Sequence, residues 1–220
     1  LMGSDVKSDK LFKVFIHLFN KFSWTKTIMK SEDMKLSLGI KGTEVIPNGV
    51  DLRMFKPLNQ LECKRKLGWD HEKKQVLFAA NPNAYVKNFS LASDAFSLTK
   101  NSSYELKVLE YVPNEQMPIY FNAASLILLT SLWEGSPNVI KEAMGCNRPI
   151  LSTNVGDVSI LLSNVKASGI IVNNTKEEIA HKIEYFLENF SISEGREKLM
   201  QLKLDSKSVA SQIIKLYVER

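Results

Sequence analysis

The sequence predicts an α/β fold in which helices cover both faces of a parallel sheet. Short apolar runs alternate with helical patterns from residue 75 to the end. The runs contain few charged residues, as strands buried on both faces do. The 220 residues are 44% hydrophobic and 24% charged, which is the balance of an ordinary globular domain.

The first elements lie before this regular alternation. Residues 8–22 predict an amphipathic helix, residues 25–29 a short strand and residues 43–46 a second one. Between the strands, Ser31 is a typical N-cap and Gly39 a typical helix end, which predicts a helix over residues 32–38. The turn cluster at residues 47–51 predicts a domain boundary.

After the boundary the pattern is that of a Rossmann-like domain. Strands are predicted over residues 75–80, 105–109, 125–129, 149–152 and 169–172. Helices are predicted over residues 89–98, 115–123, 137–144, 157–162, 177–187, 193–202 and 208–218. Ligands bind beyond the carboxyl ends of the strands in such sheets. We therefore expect functional residues in the loops that follow residues 80, 109, 129 and 152.

Composition excludes several classes of function. Six lysines against two aspartates in residues 1–30 give a net +4, which leaves +1 of the chain's +5 for residues 31–220. A nucleic-acid-binding face across the main domain is therefore not expected. The three histidines are far apart in the sequence and near no cysteine, so no metal site is predicted. Cys63 and Cys146 form no disulfide pattern, which favours a reducing cytoplasm, and no run of apolar residues is long enough to span a membrane.

The loop over residues 130–138 has the chemistry of an anion or sugar site. Ser136 is a good N-cap and Pro137 a good first helical residue, so free amides would open the following helix. Gly135 allows a ligand to approach the backbone. Glu134 and Glu142 could accept the paired hydroxyls of a sugar or ribose. The alternative is a well-capped helix with two solvated glutamates.

Three segments resemble the family 4 retaining glycosyltransferases of GT-B fold. Residues 134–157 read EGSPNVIKEAMGCNRPILSTNVGD, with Glu134 and Glu142 separated by seven residues as in that family. Residues 46–57 resemble its interdomain segment, with Phe55 and Pro57 in place. Residues 111–131 resemble its loop, helix and strand before the glutamates. The resemblance covers the chain from about residue 30 to the end, mainly the donor-binding domain.

The resemblance implies roles for individual residues. Glu142 would hold the ribose hydroxyls, Glu134 would face the donor sugar, and Lys87 would stabilise the diphosphate leaving group. The alternative for Lys87 is an ordinary exposed lysine. The loop amides would meet the sugar and the distal phosphate, and the backbone near residue 111 would flank the base. The predicted catalytic residues are Glu134 and Lys87, and the predicted substrate-binding residues are Glu142, Gly135, Ser136, Pro137, Asn138, Val139, Tyr111, Val112 and Asn81.

Two positions depart from the family pattern. Pro82 stands where the family usually has an arginine, so one of two diphosphate cations is missing. Residues 1–6 resemble the family's His-Gly-Ser-Asp segment, but Met2 stands where a histidine often contributes to the active site. The alternative is that these residues are a vector remnant and the alignment is accidental.

The resemblance also predicts the domain organisation. Residues 1–45 would be part of the N-terminal, acceptor-side domain or an interdomain segment. Residues 46–204 would be the nucleotide-sugar-binding domain, and residues 205–220 a helix that packs back toward the N-terminal domain. The chain is too short for two complete domains, so we expect it to be truncated and inactive alone.

The predicted function is retaining, metal-independent transfer of a sugar from a UDP-sugar or GDP-sugar, in polysaccharide biosynthesis and without a cofactor. The acceptor would be a saccharide or a lipid-linked molecule. The alternative, favoured by Pro82 and Met2, is a non-catalytic nucleotide-sugar-binding module. A dinucleotide-binding domain lacks support because no glycine fingerprint is present.

Residues 7–30 combine an aromatic face with most of the excess charge. They predict either a helix at the membrane surface, peripheral to the inner face, or a helix that packs within the protein. The localisation expected is cytoplasmic.

Overall fold

The structure, a computed structural model, describes residues 10–218. The strands are β1 (Thr27–Met29), β2 (Thr43–Val45), β3 (Lys74–Phe78), β4 (Tyr104–Val108), β5 (Leu126–Leu129), β6 (Ile150–Thr153) and β7 (Ser168–Ile171). The helices are α1 (Lys10–Phe22), α2 (Glu32–Leu38), α3 (Gln60–Leu67), α4 (Phe89–Ser97), α5 (Met117–Ala123), α6 (Asn138–Gly145), α7 (Val158–Leu162), α8 (Lys176–Asn189), α9 (Gly195–Gln201) and α10 (Ser206–Val218). The prediction for Met2 lies outside these residues.

Strands β3 to β7 form one parallel sheet in the order β4-β3-β5-β6-β7. In the register, Val76 pairs with both Leu106 and Leu126, and Leu128 pairs with Leu151. The carboxyl ends of all five strands therefore lie at the same edge. The loops that follow β3 and β5 are neighbours there, although Lys87 of the first and Glu134 of the second are 47 residues apart in sequence.

Two apolar cores lie on the two faces of this sheet. On one face, Val76, Phe78 and Leu128 pack with residues of α4 and α8. On the other, Leu77, Ile127 and Leu129 pack with residues of α5, α6, α7, α9 and α10. Successive strand residues point to opposite faces, so a continuous apolar run serves both cores. The predicted α/β class, with helices on both faces of a parallel sheet, is confirmed.

The N-terminal part has a small sheet of its own, in which β1 and β2 pair in parallel. The Ser31 side chain accepts a hydrogen bond from the Met34 amide, and Gly39 ends α2 with φ +61°. Both predicted caps are thereby confirmed. Ile16 of α1 packs with a separate cluster, which also contains Met29 and Met34.

The chain returns to its N-terminal part at α10. Val50 donates from its amide to the Leu204 carbonyl at 2.9 Å and accepts from the Ser206 amide at 2.9 Å. Ile28 and Leu216 both pack against the larger core. The division into parts at residues 45 and 204 stays a prediction. Within residues 10–218, every helix is too short or too polar to cross a bilayer.

The start of α6 differs from the prediction. Pro137 is the N-cap, with φ −69° and ψ 118°, and the helix begins at Asn138. Ser136 makes no capping hydrogen bond, because its hydroxyl is engaged by two buried side chains described below. The predicted N-cap at Ser136 and first helical position at Pro137 are therefore wrong by one residue.

Candidate functional site

A cleft of about 410 Å³ opens at the carboxyl edge of the large sheet, between the loops after β3 and β5. The segments that follow β2 and β1 contribute one wall, through Asn48 and Lys30. Seven of the predicted site residues line this cleft: Lys87, Glu134, Gly135, Ser136, Pro137, Asn138 and Val139.

An ion pair crosses the cleft floor. The Nζ of Lys87 donates to Oε1 of Glu134 at 2.6 Å, and the Ser131 hydroxyl donates to the same oxygen at 2.8 Å. The side chains of Lys87 and Glu134 are 26% and 17% exposed. Lys87 is thus a half-buried, paired cation and not an isolated surface lysine. Both hydrogen bonds use Oε1, which leaves Oε2 of Glu134 for another donor.

Hydrogen bonds from the β5 loop hold Lys87 in place. The buried Thr130 hydroxyl donates to the carbonyl oxygens of Lys87 at 3.1 Å or Asn88 at 3.0 Å. The Leu132 amide donates to the Val86 carbonyl at 2.8 Å. Asn88 takes φ +50° and ends the short 3₁₀ turn that carries Lys87. The two loops therefore form one rigid wall.

A buried polar network lies beneath the β5 loop. The Nζ of Lys141 donates to Ser136 Oγ at 2.6 Å and to the Asn48 carbonyl at 2.8 Å, and Ser136 donates to Asp157 Oδ2 at 2.5 Å. Burial lowers the pKa of Lys141 to about 8, against the opposing pull of Asp157. Burial also raises the pKa of Asp157. Among the described residues, its Oδ1 is buried without a hydrogen-bond partner.

The β5 loop also rests on the loop after β6. Gly156 takes φ +57°, and a Cβ built there would lie 2.9 Å from the Gly135 carbonyl carbon and 3.0 Å from the Glu134 oxygen. Only glycine combines that conformation with so close an approach. The position of Glu134 thus depends on a residue in the next loop.

Glu142 does not line the cleft but lies half-buried on α6. Burial raises the pKa of Glu142 to about 7, and the neighbouring Lys141 opposes this shift. Within residues 10–218 its carboxylate makes no hydrogen bond or ion pair. A partly buried carboxylate without protein partners suits the binding of ligand hydroxyls.

The remaining predicted site residues also lie outside the cleft lining. Tyr111 is 87% exposed, with φ +56°, and Val112 beside it is half-buried. The Asn81 side chain is exposed and accepts from the Asn83 amide at 2.9 Å. Asn83 in turn donates to Glu110 at 2.9 Å, which connects the loops after β3 and β4. Asn81 and Tyr111 thus lie at the rim formed by these two connected loops.

A second cavity of about 340 Å³ adjoins the cleft on the other side of Trp133 and Glu134. Asp33 of α2 and Gly156 contribute to its lining. Glu134 therefore faces two neighbouring spaces. Among residues 10–218, no group of three His, Cys, Asp or Glu side chains is arranged to hold a metal ion.

Known proteins resemble this chain in sequence and in fold. The family described as glycosyl transferases group 1 matches residues 93–189. An Escherichia coli enzyme, UDP-Gal:α-D-GlcNAc-diphosphoundecaprenol α-1,3-galactosyltransferase, is 25% identical over 72% of this chain and 50% of its own length. The chain is similar to the group 1 glycosyl transferases over residues 93–189. A Bacillus subtilis glycosyltransferase assigned to teichuronic acid biosynthesis is 28% identical, over 73% of this chain and 47% of its own length.

The chain also shares the fold of solved structures. The HepE protein of Anabaena, determined with UDP and glucose, matches with a TM-score of 0.84 over 97% of this chain and 68% of that chain, at 16% identity. Identity this low shows a common fold only. The chain spans about half the length of the two curated relatives.

The sequence did not predict five residues that line the cleft: Lys30, Asn48, Ala79, Val86 and Trp133. Lys30 directly follows β1, so the rule that ligands bind at carboxyl ends of strands applied to it as well. Asn48 lies in the turn cluster that predicted the domain boundary. Its side-chain Nδ2 donates to Asn138 Oδ1 at 3.2 Å.

Proposed function

We propose that this chain binds a nucleoside diphosphate sugar as the donor of a retaining, metal-independent glycosyl transfer. The observation that carries the proposal is the cleft in which the ion pair of Lys87 and Glu134 faces the first residues of α6. The acceptor would be a saccharide or a lipid-linked molecule, and the pathway would be polysaccharide synthesis. The location would be the cytoplasm, at the inner face of a membrane where the acceptor is lipid-linked.

The relatives support a sugar nucleotide as the ligand. The E. coli relative is named for a UDP-galactose donor and a diphosphoundecaprenol acceptor. The HepE structure contains UDP and glucose. Uridine diphosphate is therefore the first ligand to test on this chain.

The chemistry follows from the charge that develops during transfer. When the bond between the sugar and the diphosphate breaks, negative charge accumulates on the departing phosphate. Lys87 and the free amides at the start of α6 would stabilise that charge. Oε2 of Glu134, which no described residue engages, would accept a hydroxyl of the sugar. Glu142 would accept the two ribose hydroxyls.

A non-catalytic sugar-nucleotide-binding module is the second candidate, and Pro82 favours it. Both candidates require the same donor cleft, so binding tests what they share. Transfer of the sugar from the donor to an acceptor would then separate the two candidates.

The first experiment is calorimetric titration of the chain with UDP. We expect Glu142→Gln to weaken UDP binding about tenfold or more, because a hydrogen bond to a charged group contributes roughly 1.5–3 kcal/mol. Glu177→Gln, an exposed carboxylate in the first turn of α8, is the matched control and should bind as the wild type does.

Two results would count against the proposal. A wild-type chain that binds neither UDP nor GDP would have no donor site of this kind. If Glu142→Gln binds UDP as tightly as the wild type, Glu142 is not the ribose ligand, although the cleft could still hold the diphosphate.

A further inference from the structure

We propose that Lys30, supplied by the N-terminal part of the chain, binds the diphosphate of the donor as the second cation of the cleft. This assignment rests on the proposed function. Lys30 lies outside the large sheet. The bound donor would therefore contact residues from the parts of the chain that contain the large and the small sheet.

The backbone on either side of Lys30 is firmly held. Met29, the last residue of β1, is fully buried, and its carbonyl accepts from the Ile46 amide at 2.9 Å. Ser31 is buried and caps α2. Lys30 is half-buried between these two anchors, and its side chain lines the cleft opposite the β5 loop. Little conformational freedom of the backbone remains to be lost when a ligand binds.

The charges in the cleft do not balance without a ligand. Its charged lining residues are Lys30, Lys87 and Glu134. Lys87 and Glu134 neutralise each other at 2.6 Å. Among the described residues, the Lys30 ammonium has no hydrogen bond or ion pair. One positive charge therefore faces the cleft together with the positive end of α6.

The groups around Lys30 increase this imbalance. Lys141, beneath the loop, is near enough for the two ammonium charges to repel each other. The buried carboxylate of Asp157, which lies near Lys141, already accepts from Ser136 through Oδ2. Burial lowers the pKa of Lys30, so its charged form is not favoured by the protein alone.

A diphosphate would supply the negative charge that balances the unpaired positive charge of the cleft. It carries more than one negative charge at neutral pH and has several oxygens, so it can contact both Lys30 and the α6 amides. A neutral sugar or a bare nucleoside would leave the Lys30 charge uncompensated. The effect of Lys30 should therefore depend on the phosphates and not on the base or ribose.

The test compares uridine, UMP and UDP by calorimetric titration of the full chain. We expect Lys30→Met to weaken UDP binding about tenfold, to weaken UMP binding less and to leave uridine binding unchanged, because the lost contact is to phosphate. The dependence of UDP binding on salt should also become less steep. Lys30→Arg keeps the charge and should retain most of the affinity.

Lys41→Met is the matched control, since it removes an exposed lysine of the same N-terminal part. It should bind all three ligands as the wild type does. Thermal unfolding of each variant would show that the fold is retained.

The outcomes are distinguishable. If the wild type binds UDP and Lys30→Met binds it equally well, the Lys30 assignment is wrong and the proposed function stands. If Lys30→Met loses uridine and UDP equally, Lys30 has only a structural role. A wild-type chain that binds no nucleoside diphosphate would overturn both.

Discussion

The carboxylate of Glu142 is unfavourable for the unliganded fold. Burial raises its pKa from 4.5 to about 7, so the folded chain takes up a proton that the unfolded chain does not bind between those values. The contribution of Glu142 to the free energy of unfolding is therefore greatest below about pH 4.5 and is lost as the pH rises through about 7. The shift corresponds to about 3 kcal/mol. A ligand that donates hydroxyls to this carboxylate would offset part of that cost.

We therefore expect Glu142→Gln to stabilise the unliganded chain at pH 8 by about 1–3 kcal/mol, because no charge is then buried. At pH 5 the free energies of unfolding of the wild type and Glu142→Gln should differ much less. Urea unfolding at both pH values measures the difference, with Glu177→Gln as the control. Equal stability of wild type and Glu142→Gln at pH 8 would show that the carboxylate is well solvated.

Lys141 joins the site loop to the segment before the large sheet. Replacement by methionine removes its hydrogen bonds to Ser136 and the Asn48 carbonyl and leaves Asp157 without a nearby cation. We expect Lys141→Met to destabilise the chain by about 3 kcal/mol. Urea unfolding would check this, with the exposed Lys166→Met as control.

The partner of Lys141 allows a sharper test. If the buried charge of Asp157 causes the loss, Asp157→Asn in the Lys141→Met background should recover part of the stability. A loss that the second substitution does not reduce would show that packing, and not charge, dominates at this site.

At the scale of elements, the close contact of the loops after β5 and β6 can be tested with two glycines of similar backbone conformation. Gly156 has φ +57° and Gly39 has φ +61°. A Cβ at Gly39 would meet nothing within 4 Å, whereas at Gly156 it would collide with the backbone of residues 134–135. Alanine at either position must adopt the same unfavourable left-handed backbone conformation. Only alanine at position 156 would also displace the loop that carries Glu134.

We expect Gly39→Ala to cost about 1 kcal/mol and to leave UDP binding unchanged. Gly156→Ala should destabilise the chain by more than this and weaken UDP binding, because the loop that carries Glu134 must shift. Thermal unfolding and titration with UDP measure the two effects. If both variants bind UDP alike, the contact of the two loops does not position the site.

The sequence predicted the elements whose determinants are local. The caps of α2 and the apolar runs of the strands depend on neighbouring residues and were confirmed. The start of α6 was wrong because the Ser136 hydroxyl bonds to Asp157, which lies 21 residues further along the chain. A local pattern contains no information about that competing partner.

The same distinction explains which of the residues that line the cleft were predicted. The loop over residues 130–138 has its own sequence pattern, and Lys87 follows a predicted strand. Lys30 comes from the other, smaller sheet, and its place in the cleft depends on how the N-terminal part packs. Such a residue is visible only after assembly of the whole molecule.

At the scale of the whole molecule, the N-terminal helix α1 packs against the small N-terminal cluster through Ile16, which is 3% exposed. Phe15, Phe19 and Phe22 remain 48%, 49% and 74% exposed. Lys21 lies over the Phe22 ring at 5.1 Å. An exposed aromatic face beside lysines is typical of helices that bind at membrane surfaces.

We expect the chain to co-sediment with anionic vesicles at low salt and less at high salt, since anionic lipid attracts the lysines while the aromatic face enters the interface. Lys13→Glu with Lys21→Glu should abolish this binding. Lys166→Glu with Lys176→Glu makes the same change in net charge at exposed positions elsewhere and should not. Neutral vesicles should bind weakly. Equal binding by the two charge variants would show that only net charge matters. If the wild type sediments with no vesicle, the aromatic face does not bind membranes.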